Sequence, residues 1–458
     1  MRRNLIVVAV MTTPILASAV LPATANSAVR QATANSGARA SLGIAALVLS
    51  VSCAPDGNCA AGGIYYDASA PDSQAFVLTE RNGQWGAPIE VPGLAPLLPN
   101  NSIVKSVSCA PGGCVAGGSY QSPSGKLSYA FVTNEKNGRW SPLVTIAGAS
   151  TAASAFSWVG SVSCSGPGNC AAGGFPAFVV SEVNGRWGRA YHFAAGKNGR
   201  VKVSCASAGN CTAGWKTFVA SERNGHWGRP IAVPGLRALG TGAGIASLSC
   251  TAAADCAVGG LYNKIFAGES VFVASERNGR WGKALELPGF TSMLNQTGFA
   301  DFAAVSCYSA GNCVTGGSYG FPAGFAGGVL EPFVAAERNG RWGNARRVPG
   351  TLPPDATICQ PSGGPCVSGA VLSVWCAPGG PCAAGGVGNT TSTSAAPAFV
   401  AMYKNGRWIK ATEIPGPAAN DSAVQSVSCT RAGKCVAGGV GFVADENNGT
   451  WGQAHPVS

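Results

Sequence analysis

Apolar and polar side chains alternate along this chain in short runs. In Phe218–Arg223, Phe218, Ala220 and Glu222 fall on one face of an extended strand, and Val219, Ser221 and Arg223 on the other. The run belongs to the third of four phrases that recur in fixed order: a strand ending in "SVSC", a strand "NCAAGG", a strand "AFVASERNG" and a strand "RWGxAxxVPG". The set occurs eight times. The spacing between successive first cysteines runs from 41 residues (Cys164 to Cys205) to 69 (Cys307 to Cys376), so the copies share a core and differ in their loops.

The third and fourth phrases are joined by Asn-Gly in every copy, from Asn82-Gly83 to Asn448-Gly449. A two-residue Asn-Gly loop between strands predicts a type I′ hairpin, because both central residues need positive φ. The first two phrases form a second hairpin clipped by cysteines. Naming the strands a to d, each repeat reads as a four-stranded antiparallel meander. A tryptophan follows each Asn-Gly turn (Trp85, Trp140, Trp187, Trp227, Trp281, Trp342, Trp408 and Trp451), one large ring per repeat, as stacked twisted sheets require. The prediction is all-β: a single eight-bladed β-propeller of four-stranded antiparallel blades over 41–458, with one disulfide per blade and repeats starting near 47, 103, 158, 199, 244, 301, 370 and 423. Two modes of ring closure stay open: no strand exchange, or a last blade that mixes both termini.

Composition adds a compartment. Met1-Arg2-Arg3-Asn4, a largely apolar run from Leu5 to Leu21 and then Ala23-Thr24-Ala25 read as a secretory signal cleaved after Ala25, followed by a flexible leader over 26–40. No later segment is apolar enough to span a bilayer. All 18 cysteines fall into local pairs: Cys53 with Cys59, Cys109 with Cys114, Cys164 with Cys170, Cys205 with Cys211, Cys250 with Cys256, Cys307 with Cys313, Cys359 with Cys366, Cys376 with Cys382, and Cys429 with Cys435. Behind a signal peptide this predicts disulfides in a secreted or cell-surface protein. Zinc would need converging sets of four ligands, and these pairs lie about fifty residues apart beside only 3 histidines, so no metal and no cofactor is expected. The pair of Cys359 and Cys366 sits in an insertion of blade seven that reads as a tolerated insertion on a variable face or as a stapled lid or partner contact.

In a meander, alternate turns share one end. The a–b and c–d turns therefore occupy one face and the variable b–c and d–a loops the other, where binding specificity usually sits. Candidate ligand contacts on that variable face are Tyr65, Tyr66, Asp67, Tyr120, Trp215, Tyr262, Asp301, Tyr319 and Asp421, with Asp72 and Glu269 beside them. Four of the tyrosines follow "GG" at one offset, and they read either as an aromatic ring around a sugar-binding mouth or as packing at strand ends. On the turn face, Arg81, Lys136, Arg139, Arg186, Arg223, Arg277, Arg280, Arg338, Arg341, Lys404 and Arg407 flank the Asn-Gly turns. They suit an anionic envelope polymer or simple solvation, with the strand-c glutamates offsetting much of the charge.

Catalytic signals are thin. Of His192, His226 and His455, His226 fills a turn slot that other copies give to arginine, and "GGSYG" around Ser318 repeats "GGSY" at Ser119. Loop acids Asp67, Asp72, Asp301 and Asp421 are the carboxylates a glycoside hydrolase or lyase could pair. No clustered basic helix or reader motif points to nucleic acid.

The phrases "SVSCASAGNC…AGG" and "FVASERNGRWGxAxxVPG" resemble the repeat of secreted proteins from actinobacteria and related soil bacteria, over roughly residues 45 to 458. The resemblance implies export and a repeat architecture but no activity. The c–d hairpin is also faintly similar to the Asp-box hairpin of sialidase propellers, from which it departs: Trp follows the turn glycine by two positions, no Asp stands two before it, and no arginine triad is present. The sequence therefore points to a secreted, monomeric, non-enzymatic binding module for carbohydrate or cell-envelope polymer. A carbohydrate-active hydrolase or lyase, and a structural or adhesive surface protein with a protein partner, are the alternatives.

Overall fold

The computed structural model describes residues 45–66, 72–151, 154–264, 268–294, 298–321, 329–351, 369–388, 397–416, 422–431, 433–447 and 449–457. Eight antiparallel sheets, each contiguous in sequence, form the eight blades. In blade one, strand a is Ala45–Cys53, b is Cys59–Tyr66, c is Ser73–Arg81, and d is the broken pair Gln84–Trp85 and Ile89–Glu90. The break is one extra residue. Trp85 opposes Glu80 and Ile89 opposes Val77, so four steps on d face three on c. A bulged outermost strand of two-residue pieces offers little edge for a neighbouring chain to pair with.

The local signals act as expected. In the seven Asn-Gly turns whose residues are both described, both carry positive φ, for example Asn224 at 49° and Gly225 at 80°. Paired cysteines lie opposite each other in the a–b ladder, as Cys53 opposes Cys59 and Cys109 opposes Cys114. Eight disulfides form, one in each blade. In blades one to four they join Cys53 to Cys59, Cys109 to Cys114, Cys164 to Cys170 and Cys205 to Cys211. In blades five to eight they join Cys250 to Cys256, Cys307 to Cys313, Cys376 to Cys382 and Cys429 to Cys435. The ninth expected pair, Cys359 with Cys366, lies with its insertion outside the described residues. The turn-face tryptophans are all buried or half-buried, as core residues are. The two turns of a blade also sit side by side: the Gly225 amide donates to the Gly209 carbonyl, and Gly340 to Gly311, joining c–d turn to a–b turn.

Strand a is innermost, and the "SVSC" phrase shows how. The first serine accepts the amide of the next blade's central apolar residue (Val107 to Ser50, Val162 to Ser106), and the second accepts the next cysteine amide (Cys109 to Ser52, Cys164 to Ser108). Six bonds of the first kind and seven of the second run around the axis at 2.8–3.1 Å. The gaps fall where serine is replaced, at Lys202, Ala304 and Trp375. The same bonds close the ring: Val51 and Cys53 of blade one donate to Ser426 and Ser428 of blade eight, both at 3.0 Å. Since the eighth sheet holds only residues 424–456, closure involves no strand exchange.

The "GG" phrase is steric. A Cβ on the first glycine would meet the next blade's strand-a valines, as Gly117 would meet Val159 Cγ1 at 2.5 Å. A Cβ on the second would strike its own strand a, Gly118 against the Ile103 carbonyl oxygen at 1.8 Å. That carbonyl comes so close because strand a bulges there in seven blades, leaving Leu49, Lys105, Gly160, Ala246, Ala303, Leu372 and Gln425 outside the ladder. Each bulged residue keeps solvent contact while the residue before it is buried, so this position lines the axial channel.

Candidate functional site

The turn face is occupied by its own structure. The strand-c glutamates, Glu80, Glu135, Glu182, Glu222, Glu276, Glu337 and Glu446, are all buried, with Tyr403 in their place in blade seven. The preceding blade supplies their partners. Lys434 reaches Glu80 at 2.7 Å, Arg81 reaches Glu135 at 3.1 Å, Asn134 bonds Glu182, and Ser181 donates to Glu222 at 2.6 Å. Arg277 and Ser275 meet Glu337 at 3.2 and 2.8 Å, and Arg338 meets the Tyr403 hydroxyl at 3.0 Å. Burial raises the carboxyl pKa of Glu182, Glu222 and Glu276 above the usual range, and the hydrogen bonds from Asn134 and Ser181 and the charge of Arg223 oppose it only in part. Arg81, Arg277 and Arg338 thus serve blade-to-blade contacts under the Asn-Gly turns.

On the variable face the candidate aromatics divide. The tyrosines after "GG" turn inward. Tyr120 is buried with its hydroxyl 3.0 Å from Thr145 Oγ1, Tyr262 donates to Glu286 at 2.9 Å, and Tyr319 donates to Glu331 at 2.6 Å. Burial pushes the Tyr262 and Tyr319 hydroxyls well above their ordinary pKa. Tyr65 is half-buried against Phe76, and Tyr66, at 39% exposed, is the only one of these tyrosines open to solvent. Trp215 is fully buried, stacks on Phe193 and donates Nε1 to the Ala195 carbonyl at 3.1 Å. Asp67 and Asp421 lie outside the described residues. Asp301 is exposed in blade six and accepts the Phe302 amide at 2.8 Å. Among these acids it is coupled to Glu269, whose pKa is raised first by burial and then by the Asp301 charge.

What the structure does bring together on this face is a groove of about 740 Å³ between blades four and five. Its walls include Lys216, Thr217, Phe218, Arg237 and Thr241, with Gly196, Gly240, Gly242, Ala243 and Gly244. The b–c connection (Lys216–Thr217) and the short helical turn Leu236–Leu239 of the d–a connection supply the side chains, and glycines keep the floor open. The Arg237 guanidinium stands 6.0 Å from the centre of the half-exposed Phe218 ring, an arrangement that holds a cation beside an aromatic face. Lys216 and Arg237 are exposed, no carboxylate lines the groove, and neither cation has an ion-pair partner among the described residues.

Trp215 holds this groove from below. It occupies the position that is the second glycine in the other blades. Blade four alone lacks the bulged stretch of the a–b ladder: its strand a pairs only from Lys202, opposite Gly214, so no paired strand-a residue stands opposite Trp215 as one stands opposite the second glycine elsewhere. The indole then supports the loop before strand a, where a Cβ at Gly196 would sit 2.7 Å from its Nε1. Lys216, Phe218 and Arg237 were not singled out in the sequence. The available signal was the loss of the "GG" pair in "TAGWK", which marks blade four as locally rebuilt.

No helix among the described residues is long and apolar enough to cross a membrane, and no group of three His, Cys, Asp or Glu residues among them could hold a metal ion. The disulfides fit an extracellular protein. No protein-family model matches the chain, and no curated protein matches its sequence. Solved structures similar to it include Sqt1 of Chaetomium thermophilum (14% identity, TM-score 0.49, covering 88% of this chain and 96% of that one). An ulvan lyase of polysaccharide lyase family PL25 is similar at 10% identity and TM-score 0.44, over 91% and 95% of the two chains. YCF48 bound to D1 peptide is similar at 12% and 0.41, over 76% and 89%. These are distant likenesses, and none bears on the ligand of this chain.

Proposed function

We propose that this protein is an extracellular binding module for acidic carbohydrate or anionic cell-envelope polymer, and that the groove between blades four and five is its contact surface. The observation that carries the reading is the groove's chemistry: one aromatic ring, two cations with no ion-pair partner among the described residues and two threonines, with no acid among its lining residues. An aromatic face suits the apolar side of a sugar ring, and the cations suit its carboxylate, sulfate or phosphate substituents. Open, cationic and shallow, the groove favours holding a chain over enclosing a small substrate.

The test is an array of acidic and neutral glycans and cell-wall polymers at low and high salt, with the disulfides intact. Binding confined to acidic members, weakened by salt and lost in Phe218→Ala and Arg237→Ala but kept in Tyr66→Ala, supports the reading. Binding indifferent to both groove substitutions refutes it. Glu269 and Asp301 are the coupled acids that a hydrolytic alternative would use. Release of new reducing ends, abolished by Glu269→Gln, would replace the binding role with that one.

A further inference from the structure

A second group of cations lies away from the groove, on the axis. Lys105 is the bulged, channel-lining residue of blade two, and Lys202 takes the first-serine slot of the innermost strand in blade four. Arg200 lies two residues before that strand begins, 5.7 Å from the Trp158 ring centre. Between them, blade three has Gly160 as its channel-lining residue, beside the Trp158 ring that Arg200 faces.

The three cations act on one another. The Lys105 ammonium is held below its ordinary pKa, first by the protein around it and then by Arg200 and Lys202, and the Lys202 ammonium by burial and then by Arg200. Lys105 nevertheless keeps solvent contact and Lys202 is half-exposed, as befits side chains surrounded by protein but reached by water along a channel. None of the three has an ion-pair partner among the described residues. The single acid on the described innermost strands is Asp301 in blade six, across the ring from blade two. Like charges gathered at one place without a counter-charge are repaid when an anion enters. Ser106, beside Lys105, uses its oxygen to accept the Val162 amide at 3.0 Å and so retains its O–H as a donor.

We propose that the axial channel contains an anion site between blades two and four, where Lys105, Lys202 and Arg200 together receive one oxyanion group, a carboxylate, sulfate or phosphate. The site is separate from the groove and stands whether or not the groove binds a polymer. The group can arrive as a free anion or as the charged end of an acidic oligosaccharide entering the variable mouth.

Calorimetric titration of the full chain with inorganic phosphate and, separately, with trigalacturonate tests this. The variants are Lys105→Met, Lys202→Met and a surface control, Lys410→Met, exposed beside the outermost strand of blade seven and away from both channel and groove. The channel lysines have no ion-pair partner among the described residues to lose, so the single variants should fold. The expected result is binding at least tenfold weaker in each channel variant and unchanged in the surface control. That pattern with phosphate identifies a free-anion site, and the same pattern with trigalacturonate alone identifies a site for a polymer end. Absence of binding for both probes in the unaltered protein, or binding unchanged in both channel variants, overturns the proposal.

Discussion

Replacing Ser428 with alanine removes one hydroxyl from the seam where the last blade meets the first. Ser428 is fully buried, and its Oγ accepts the amide of buried Cys53 at 3.0 Å. Alanine fills almost the same space, so packing changes little and the cost is that of a buried N–H left without an acceptor, about 1–3 kcal/mol. At 1.4 kcal/mol per tenfold, amide exchange at Cys53 should quicken by about 5- to 150-fold. Hydrogen exchange suits the question better than bulk melting, because eight stapled blades need not unfold in one step. Ser106→Ala is the internal comparison: it removes the same kind of bond, from Val162, at a half-exposed serine beside the channel, where water can replace the hydroxyl. Its effect on Val162 exchange should be near the lower bound. Unchanged Cys53 protection in Ser428→Ala would refute the view that serine hydroxyls join the innermost strands.

Three further outcomes follow from the same geometry. Gly118→Ala should destabilise more than Gly117→Ala in urea unfolding, since the first drives a Cβ to 1.8 Å from a backbone oxygen and the second to 2.5 Å from a valine methyl that can shift, a cost of about 1–3 kcal/mol. For pH, burial raises the folded-state pKa of Glu182, Glu222 and Glu276 above their unfolded value, so the folded chain binds more protons just above that value and stability falls as pH rises from the ordinary carboxylate range toward neutrality. Glu222→Gln should therefore flatten this fall in urea midpoints measured between about pH 4 and 8, whereas Glu337→Gln, which unpairs Arg277, should lower stability near neutrality. Removing one staple, Cys205→Ser with Cys211→Ser, should cost about 2 kcal/mol by the short-loop entropy estimate, read as faster exchange confined to blade four and its neighbours.

The features that could be read from sequence alone are those whose cause is local. Asn-Gly requires a particular turn, two cysteines at hairpin spacing can face each other, and the parity of a meander places both fixed turns at one end. Blade number, strand order, disulfides and the position of the variable loops follow from these. The unread features depend on the neighbouring blade. The serines of "SVSC" look like neutral strand filler until the next blade's amides meet them, and the paired glycines look like flexibility until a valine and a carbonyl occupy the space. The tyrosines after "GG" could belong to a mouth or to the core. Only the reach of Tyr262 to Glu286 and of Tyr319 to Glu331 shows that their hydroxyls are already used.

In a ring of eight similar units, a residue type that recurs in nearly every blade meets a requirement the blades share, so it marks assembly more readily than chemistry. The strand-c glutamates, the serines and the tryptophans all answer to inter-blade contact here. Chemistry specific to one ligand should then gather where repetition fails, and blade four fails most. It has the shortest spacing from the preceding blade, a strand a that pairs only from Lys202 onward, lysine in place of serine at Lys202 and tryptophan in place of glycine at Trp215. These departures are linked: with no paired strand-a residue opposite position 215, the carbonyl that excludes a side chain in the other blades has no counterpart, the indole can enter, and the loop it supports borders the groove with Lys216, Phe218 and Arg237. Restoring the repeat in this blade alone, by Trp215→Gly with Lys202→Ser, gives a sharp trial of that logic. The ring and its disulfides should persist, since other blades fold with those residues, while groove and channel binding are lost together. Retention of acidic-ligand binding in that variant would mean that the asymmetry of blade four is a tolerated irregularity and that the contact surface lies elsewhere on the variable face.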